Sequence, residues 1–267
     1  MTLHDGAVIG VDLGPGIRAC FTTRAGGVSP APWDELNLGQ AVGDDPDRVA
    51  ANRARVQDWA GVPLSWGHQV HGTVVRTVDG PDAGTGDCDA LAVLRPGLGA
   101  AVLVADCVPV LIADPEARVA AAVHAGRRGL LAGVVQEALA ALTAHGADPA
   151  RMRAAIGPCI RGPHYEVPAA MRDEAAAVLP ATACTTVDGT PGLDLPAGVR
   201  SVLAAAGVRE VLDTGLDTAV DDRFFSHRRA QRAGSSTGRS AGVIALARTH
   251  WRGRSGRVVA GARVSRC

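Results

Sequence analysis

Two histidines and a cysteine are the residues of this chain best suited to chemistry. His71, Cys107 and His124 supply two imidazoles and one thiol. That donor set suits catalytic zinc, which takes three protein ligands and keeps a fourth position for water or substrate. Zinc held there would keep Cys107 as thiolate and bring the pKa of a bound water toward neutrality. Copper competes for the same three donors, because Cu(II) binds many such sites more tightly than zinc. His68 competes with His71: three residues apart on a strand, they face opposite sides, so one of the two points into the site. Without metal, Cys107 as nucleophile and His124 as base would make a Cys–His hydrolase acting on amides, cell-wall peptides included. A non-catalytic interaction module is the remaining alternative, and the complete ligand set argues against it.

The elements that must position these groups can be read in order. Arg18–Thr23 reads as a strand ending in the turn Arg24-Ala25-Gly26-Gly27. Asp45 is placed to cap a helix, with Pro46 at its first position and Gly61 as its stop. Val70–Val78 reads as a Val- and Thr-rich strand. Ala101–Ala105 is a buried-strand pattern that ends at Asp106-Cys107. Val108–Ala113 and Val119–Val123 follow, the latter closed by His124. A long apolar helix is expected from Leu130 to Ala144, stopped by Gly146. Arg153–Ile156, Val208–Leu212 and Gly242–Ala247 read as strands, and Ala169–Leu179 and Ala197–Ala206 as helices. His71, Cys107 and His124 thus fall at or beside strand ends, where an α/β enzyme places reactive groups. Helices alternate with strands, but hairpin-like runs also occur. The expected fold is α/β or α+β, a mixed-sheet sandwich flanked by helices, with a wound parallel sheet as the alternative.

Composition bounds the class. The 267 residues fit one large domain spanning 1–267, with two small ones as the alternative. Acidic and basic residues balance at 27 each, and every basic side chain but His is Arg. No global field draws the chain to nucleic acid or an anionic membrane. No apolar run approaches the roughly 20 residues of a membrane helix. The N-terminal residues carry no secretory signal. The six cysteines form no CxxC pair, so reduced thiols and a cytoplasmic setting are expected. The chain has eight histidines, with no His-x-His pair and no His-Cys-His triplet, which argues against a multicopper cluster.

Longer motifs point to a family. They include Phe21-Thr22-Thr23-Arg24-Ala25-Gly26-Gly27, Leu36-Asn37-Leu38-Gly39, Asn52-Arg53 and Gln69-Val70-His71-Gly72. More specific are Ala105-Asp106-Cys107-Val108-Pro109-Val110 and Val123-His124-Ala125-Gly126-Arg127-Arg128-Gly129. Ile156-Gly157-Pro158-Cys159, Tyr165-Glu166-Val167, Phe224-Phe225-Ser226-His227-Arg228-Arg229 and Gly238-Arg239 complete the set. From about Phe21 to Ala247 the chain resembles the YfiH-like family. Its members have been described as multicopper polyphenol oxidase or laccase-domain proteins, and more recently as zinc-dependent purine nucleoside enzymes.

The resemblance implies that His71, Cys107 and His124 are the metal ligands. It also implies phosphorolysis of adenosine, inosine, guanosine and methylthioadenosine, with deamination of adenosine. Splitting a nucleoside with phosphate makes a cationic sugar and an anionic purine, so phosphate must be held by cations and backbone donors. Arg53 and Arg128 are the candidates for phosphate, and Asn37 and Gln69 for polar contacts to substrate. Arg228 and Arg229 stand out in a basic late segment by the same motif match. Two positions depart from the family: Arg127 stands where Trp is usual, and Asp217-Thr218 where Cys-Thr is usual. Both bear on the substrate pocket. Partners are therefore expected to be a purine nucleoside and phosphate.

Overall fold

The structure, a computed structural model, describes residues 3, 6–81 and 86–248. In chain order its elements begin with β1 (Val8–Val11), β2 (Ile17–Thr22), α1 (Pro46–Ala60), β3 (Leu64–Trp66), β4 (Val75–Val78) and β5 (Ala90–Val93). The middle comprises β6 (Gly99–Val104), β7 (Val108–Asp114), β8 (Val119–Ala125), α2 (Arg127–Ala132), α3 (Val134–Thr143) and β9 (Arg153–Ile156). There follow α4 (Ala169–Val178), β10 (Ala183–Thr185), β11 (Pro191–Leu193), α5 (Leu195–Ala205), β12 (Glu210–Asp213), α6 (His227–Arg232) and β13 (Ser240–Leu246).

Alternation within the strands sets the layers. Successive side chains leave opposite faces of a strand, so a strand buried on both faces serves two cores. In β7, Val108, Val110 and Ile112 join one apolar cluster, while Leu111 and Ala113 join another. In β8, Val119, Ala121 and Val123 divide from Ala120 and Ala122 in the same way. One cluster lies between a six-stranded sheet, ordered β12-β9-β7-β8-β5-β4, and α2, α3 and α5. The second lies between that sheet and a five-stranded one, ordered β1-β2-β13-β6-β3. The third packs the far face of the five-stranded sheet against Val56 and Ala60 of α1. The β10–β11 hairpin forms a separate ribbon. Parallel pairs (β3 with β6, β4 with β5, β12 with β9) mix with antiparallel ones. The expected mixed-sheet sandwich flanked by helices is therefore observed.

Local expectations mostly hold. Asp45 Oδ1 accepts from the backbone N–H of Asp47 at 2.8 Å and caps α1, and Gly61 closes it at φ 71°. Two expectations need correction. The single helix over 130–144 is two, because Gly133 at φ 103° ends α2 and turns the chain into α3. The strand expected over 70–78 is regular only from Val75. The backbone N–H groups of Val70, His71 and Gly72 instead wrap the Asp89 carboxylate, with His71 at φ 60°. His71 therefore lies on a loop, and the opposite-face argument about His68 does not apply. His68 is exposed and pairs with Asp87 at 2.7 Å.

Candidate metal centre

Sheet register brings the three candidate ligands to one place. Val108 faces Ala125 and Pro109 faces His124 across β7–β8. Ala90 faces Val123, and Val75 pairs with Ala90. The residues just before β4, β5 and β7 and the last residues of β8 thus share one end of the six-stranded sheet. Asp106 and Cys107 lie in the short link through which the chain leaves β6 of one sheet for β7 of the other. Asp106 makes that turn at φ 89°. Such backbone costs an L-residue of order 1–3 kcal/mol and is retained where surrounding contacts fix it. Here the Thr218 hydroxyl and the Arg228 N–H donate to its two carboxylate oxygens, each at 2.6 Å.

The potential ligand atoms of His71, Cys107 and His124 lie within 4.8 Å of one another. Cys107 Sγ is 3.7 Å from His71 Nε2. Tetrahedral zinc with bonds of about 2.0–2.3 Å spaces its ligand atoms by about 3.3–3.8 Å. The imidazoles of His71 and His124 meet nearly edge-on, with centroids 4.8 Å apart. This is the one group of three or more metal-binding side chains among the described residues. One thiolate and two imidazoles fit zinc or copper, and do not by themselves make a multicopper cluster.

Asp89, which the sequence reading did not single out, organises the centre. Its side chain is fully buried, and Oδ1 lies 2.8 Å from Nδ1 of the buried His124. A carboxylate only accepts, so Nδ1 carries a proton, and loss of the second proton leaves the lone pair on Nε2 for a metal. The same carboxylate accepts from His71 N–H at 2.9 Å and Gly72 N–H at 2.7 Å. One buried anion thus places a proton on Nδ1 of one candidate ligand and holds the loop of another. Burial pushes the Asp89 carboxyl up, but His124 and the N–H groups of Gly72 and Val70 outweigh it and hold its pKa below the usual carboxylate range. Burial likewise pushes the Cys107 thiol up, and the two imidazoles overcome that to bring it down to about 6. For His124, burial favours the neutral ring, while Cys107 and Asp89 outweigh it and raise its pKa to about 9.

Gly126 leaves the space this cluster needs. A Cβ there would lie 2.6 Å from His71 Cδ2 and 3.2 Å from Cys107 Sγ. Beyond the thiol opens a cleft of about 280 Å³, bordered by His71, Cys107, Arg127, Arg128, Tyr165 and Arg228, among others. Helix α6 forms one wall, joined to Asp106 through the N–H of Arg228.

The remaining expected site residues divide. Arg128 borders the cleft and donates to Val70 O at 3.0 Å. Asn37, Arg53 and Gln69 do not border it. Asn37 is buried, donates to Asp44 Oδ2 at 2.8 Å and accepts from the N–H of Gly39 and of Arg239. Arg53 donates to Leu38 O at 2.9 Å and stacks on Trp66, and burial lowers its pKa to about 10. The Gln69 side-chain amide pairs with the backbone of Leu103 through two bonds of 2.7 Å, and so ties the His71 loop to β6. Arg229 donates to backbone oxygens of Thr218, Asp221 and Phe224. Asp217 pairs with His164 at 2.6 Å.

The sandwich defines an α/β protein in which His71, Cys107 and His124 form a cluster that could hold a metal ion, beside a cleft bordered by three arginines. A family model described as multi-copper polyphenol oxidoreductase laccase matches residues 18–247, and the chain belongs to that family. The chain is 48% identical over 232 residues to a purine nucleoside phosphorylase of Mycobacterium tuberculosis, covering 85% of this chain and 91% of that protein. It is 49% identical over 231 residues to one from Streptomyces coelicolor, covering 85% and 94%. Among solved structures, a Neisseria meningitidis protein superposes with a TM-score of 0.82 at 35% identity, covering 90% of this chain and 99% of that one. YlmD from Geobacillus stearothermophilus gives 0.78 at 32%, covering 87% and 92%. The expected family is thereby confirmed.

Proposed function

We propose that this chain acts as a single-domain, zinc-dependent purine nucleoside phosphorylase. Adenosine, inosine, guanosine and methylthioadenosine are its substrates, and it has a secondary adenosine deaminase activity. The observation that carries this reading is the convergence of Cys107, His71 and His124, the first two of which border a cleft lined by three arginines. The names of the relatives support the purine nucleoside substrate. Zinc bound by the three donors, with a fourth position open, would supply Lewis-acid catalysis.

The chain's own residues have distinct tasks. Asp89 keeps the proton of His124 on Nδ1 and holds the His71 loop. Cys107, already drawn toward the thiolate by both imidazoles, needs little further acidification to act as a ligand. Arg128 adds positive charge where phosphate approaches the anomeric carbon. Tyr165 borders the cleft with an aromatic face against which a base can stack. No helix among the described residues is long and apolar enough to cross a membrane; the cytoplasmic setting is part of this proposal.

A metal-free hydrolase with Cys107 as nucleophile and His124 as base is the second reading, favoured by the lowered pKa of the thiol beside the two imidazoles. Incubating metal-loaded and metal-stripped protein with each nucleoside, with and without phosphate, separates the two. The proposal expects free base and a sugar 1-phosphate, lost on stripping and restored by zinc. Full activity in stripped protein would reject the metal's role.

A further inference from the structure

We infer that Arg127 and Arg228 form an oxyanion subsite in the cleft, and that Arg127 is the side chain that grips the ligand. The inference rests on the nucleoside reading for its biological setting and on the charge of the cleft for its physics. The cleft carries three guanidinium groups, those of Arg127, Arg128 and Arg228, against one carboxylate, Asp106. Both oxygens of that carboxylate are already engaged by Thr218 and the Arg228 N–H. A concave site with that excess of positive charge favours an anion.

The three arginines differ in freedom. The Arg128 guanidinium donates to Val70 O at 3.0 Å. That of Arg228 donates to Glu166 O at 2.9 Å and lies 5.2 Å from the Tyr165 ring centroid. Arg127 has no hydrogen bond and no carboxylate partner among the described residues, so its donor fork is unspent. Arg127 and Arg228 both act electrostatically on the Tyr165 phenol, as does Cys107. Arg127, Arg228, Tyr165 and Cys107 all border the one cleft. A tetrahedral oxyanion taken bidentately by Arg127 would sit beside the metal centre. The ligand chemistry is a phosphate dianion, supplied as inorganic phosphate or as a phosphate monoester.

The test is calorimetric titration of the zinc-loaded full chain with inorganic phosphate and, separately, with adenosine 5′-monophosphate. Wild type is compared with Arg127→Ala, Arg127→Lys and, as a remote control, Arg172→Ala. Arg127→Ala should weaken binding of at least one of the two probes tenfold or more, and Arg127→Lys by less, with zinc content and Tm unchanged. The probe that responds identifies the source of the phosphate group. During turnover, Arg127→Ala should raise KM for phosphate tenfold or more, and Arg127→Lys by less. Wild type that binds neither probe, or Arg127→Ala that binds both within twofold of wild type, would overturn the subsite. Wild type that binds phosphate in an Arg127-dependent way yet cleaves no nucleoside would instead defeat the functional reading and leave the subsite standing.

Discussion

The Asp89 carboxylate and the His124 imidazole meet at 2.8 Å, with both side chains out of solvent. This contact couples ligand orientation to the fold, because the same carboxylate holds the backbone of the His71 loop. Replacing Asp89 with Asn keeps the volume and removes the charge. Zinc affinity should fall about 10–100-fold, as for other carboxylates that support metal-binding histidines. Competition with a chromophoric chelator reads the change. Unaltered affinity would show that the carboxylate is not setting the ligand geometry.

Gly126 offers a test of space alone. Its backbone, at φ −74° and ψ 163°, is open to alanine, but the added methyl would press on His71 and Cys107. Gly126→Ala should retain its far-UV spectrum while its zinc affinity drops at least about tenfold. A variant that binds zinc as tightly as wild type would mean that the cluster has room to spare.

The thiol has a pH signature. In metal-free protein, alkylation of Cys107 should rise with pH around a midpoint of about 6, against about 8.5 for an ordinary thiol. Zinc should suppress the reaction. The other described cysteines will not compete at that pH, since burial raises the thiol pKa of Cys20, Cys159 and Cys184, and Cys88 is buried. Mass spectrometry of the modified peptide gives the profile, and a midpoint near 8.5 would contradict the proposed imidazole contacts.

Away from the centre, Asp213 ties β12 to Arg161, whose guanidinium it accepts bidentately at 2.8 and 2.9 Å, and to Arg200. Burial raises its pKa, but the Arg161 and Arg200 partners and the Gly215 N–H outweigh this and lower it overall. The stabilisation is therefore complete above the unfolded carboxyl's pKa of about 3.9 and is lost as pH falls through the lower folded value. Asp213→Asn should cost about 2–3 kcal/mol near neutrality. The gap from wild type should narrow below about pH 4. Urea unfolding at several pH values measures both effects.

Much of this architecture was legible in the chain. The Asp45-Pro46 start and Gly61 stop of α1, and the apolar runs that became β6, β7 and β8, follow from local chemistry. With β7 and β8 adjacent and antiparallel, Cys107 before one and His124 near the end of the other had to meet. The position of His71 was less accessible. Residues 70–74 have strand-forming composition, but a buried carboxylate from residue 89 outcompetes a strand partner for their N–H groups. Asp89 itself had no local signal beyond an acid directly before the apolar strand Ala90–Val93. The passage from one sheet to the other between Val104 and Val108 was likewise invisible, because both runs look equally buried. Arg53 and Gln69 sit in motifs that read as functional, while their polar atoms bond to backbone at Leu38 and Leu103.

Zinc K-edge absorption on the purified, zinc-loaded protein tests the centre most directly. The spectrum should fit one sulfur at about 2.3 Å and two imidazole nitrogens at about 2.0–2.1 Å, with one lighter atom completing the shell. Cys107→Ser should remove the sulfur contribution. A wild-type spectrum without sulfur, or one unchanged by that substitution, would contradict the three-ligand centre.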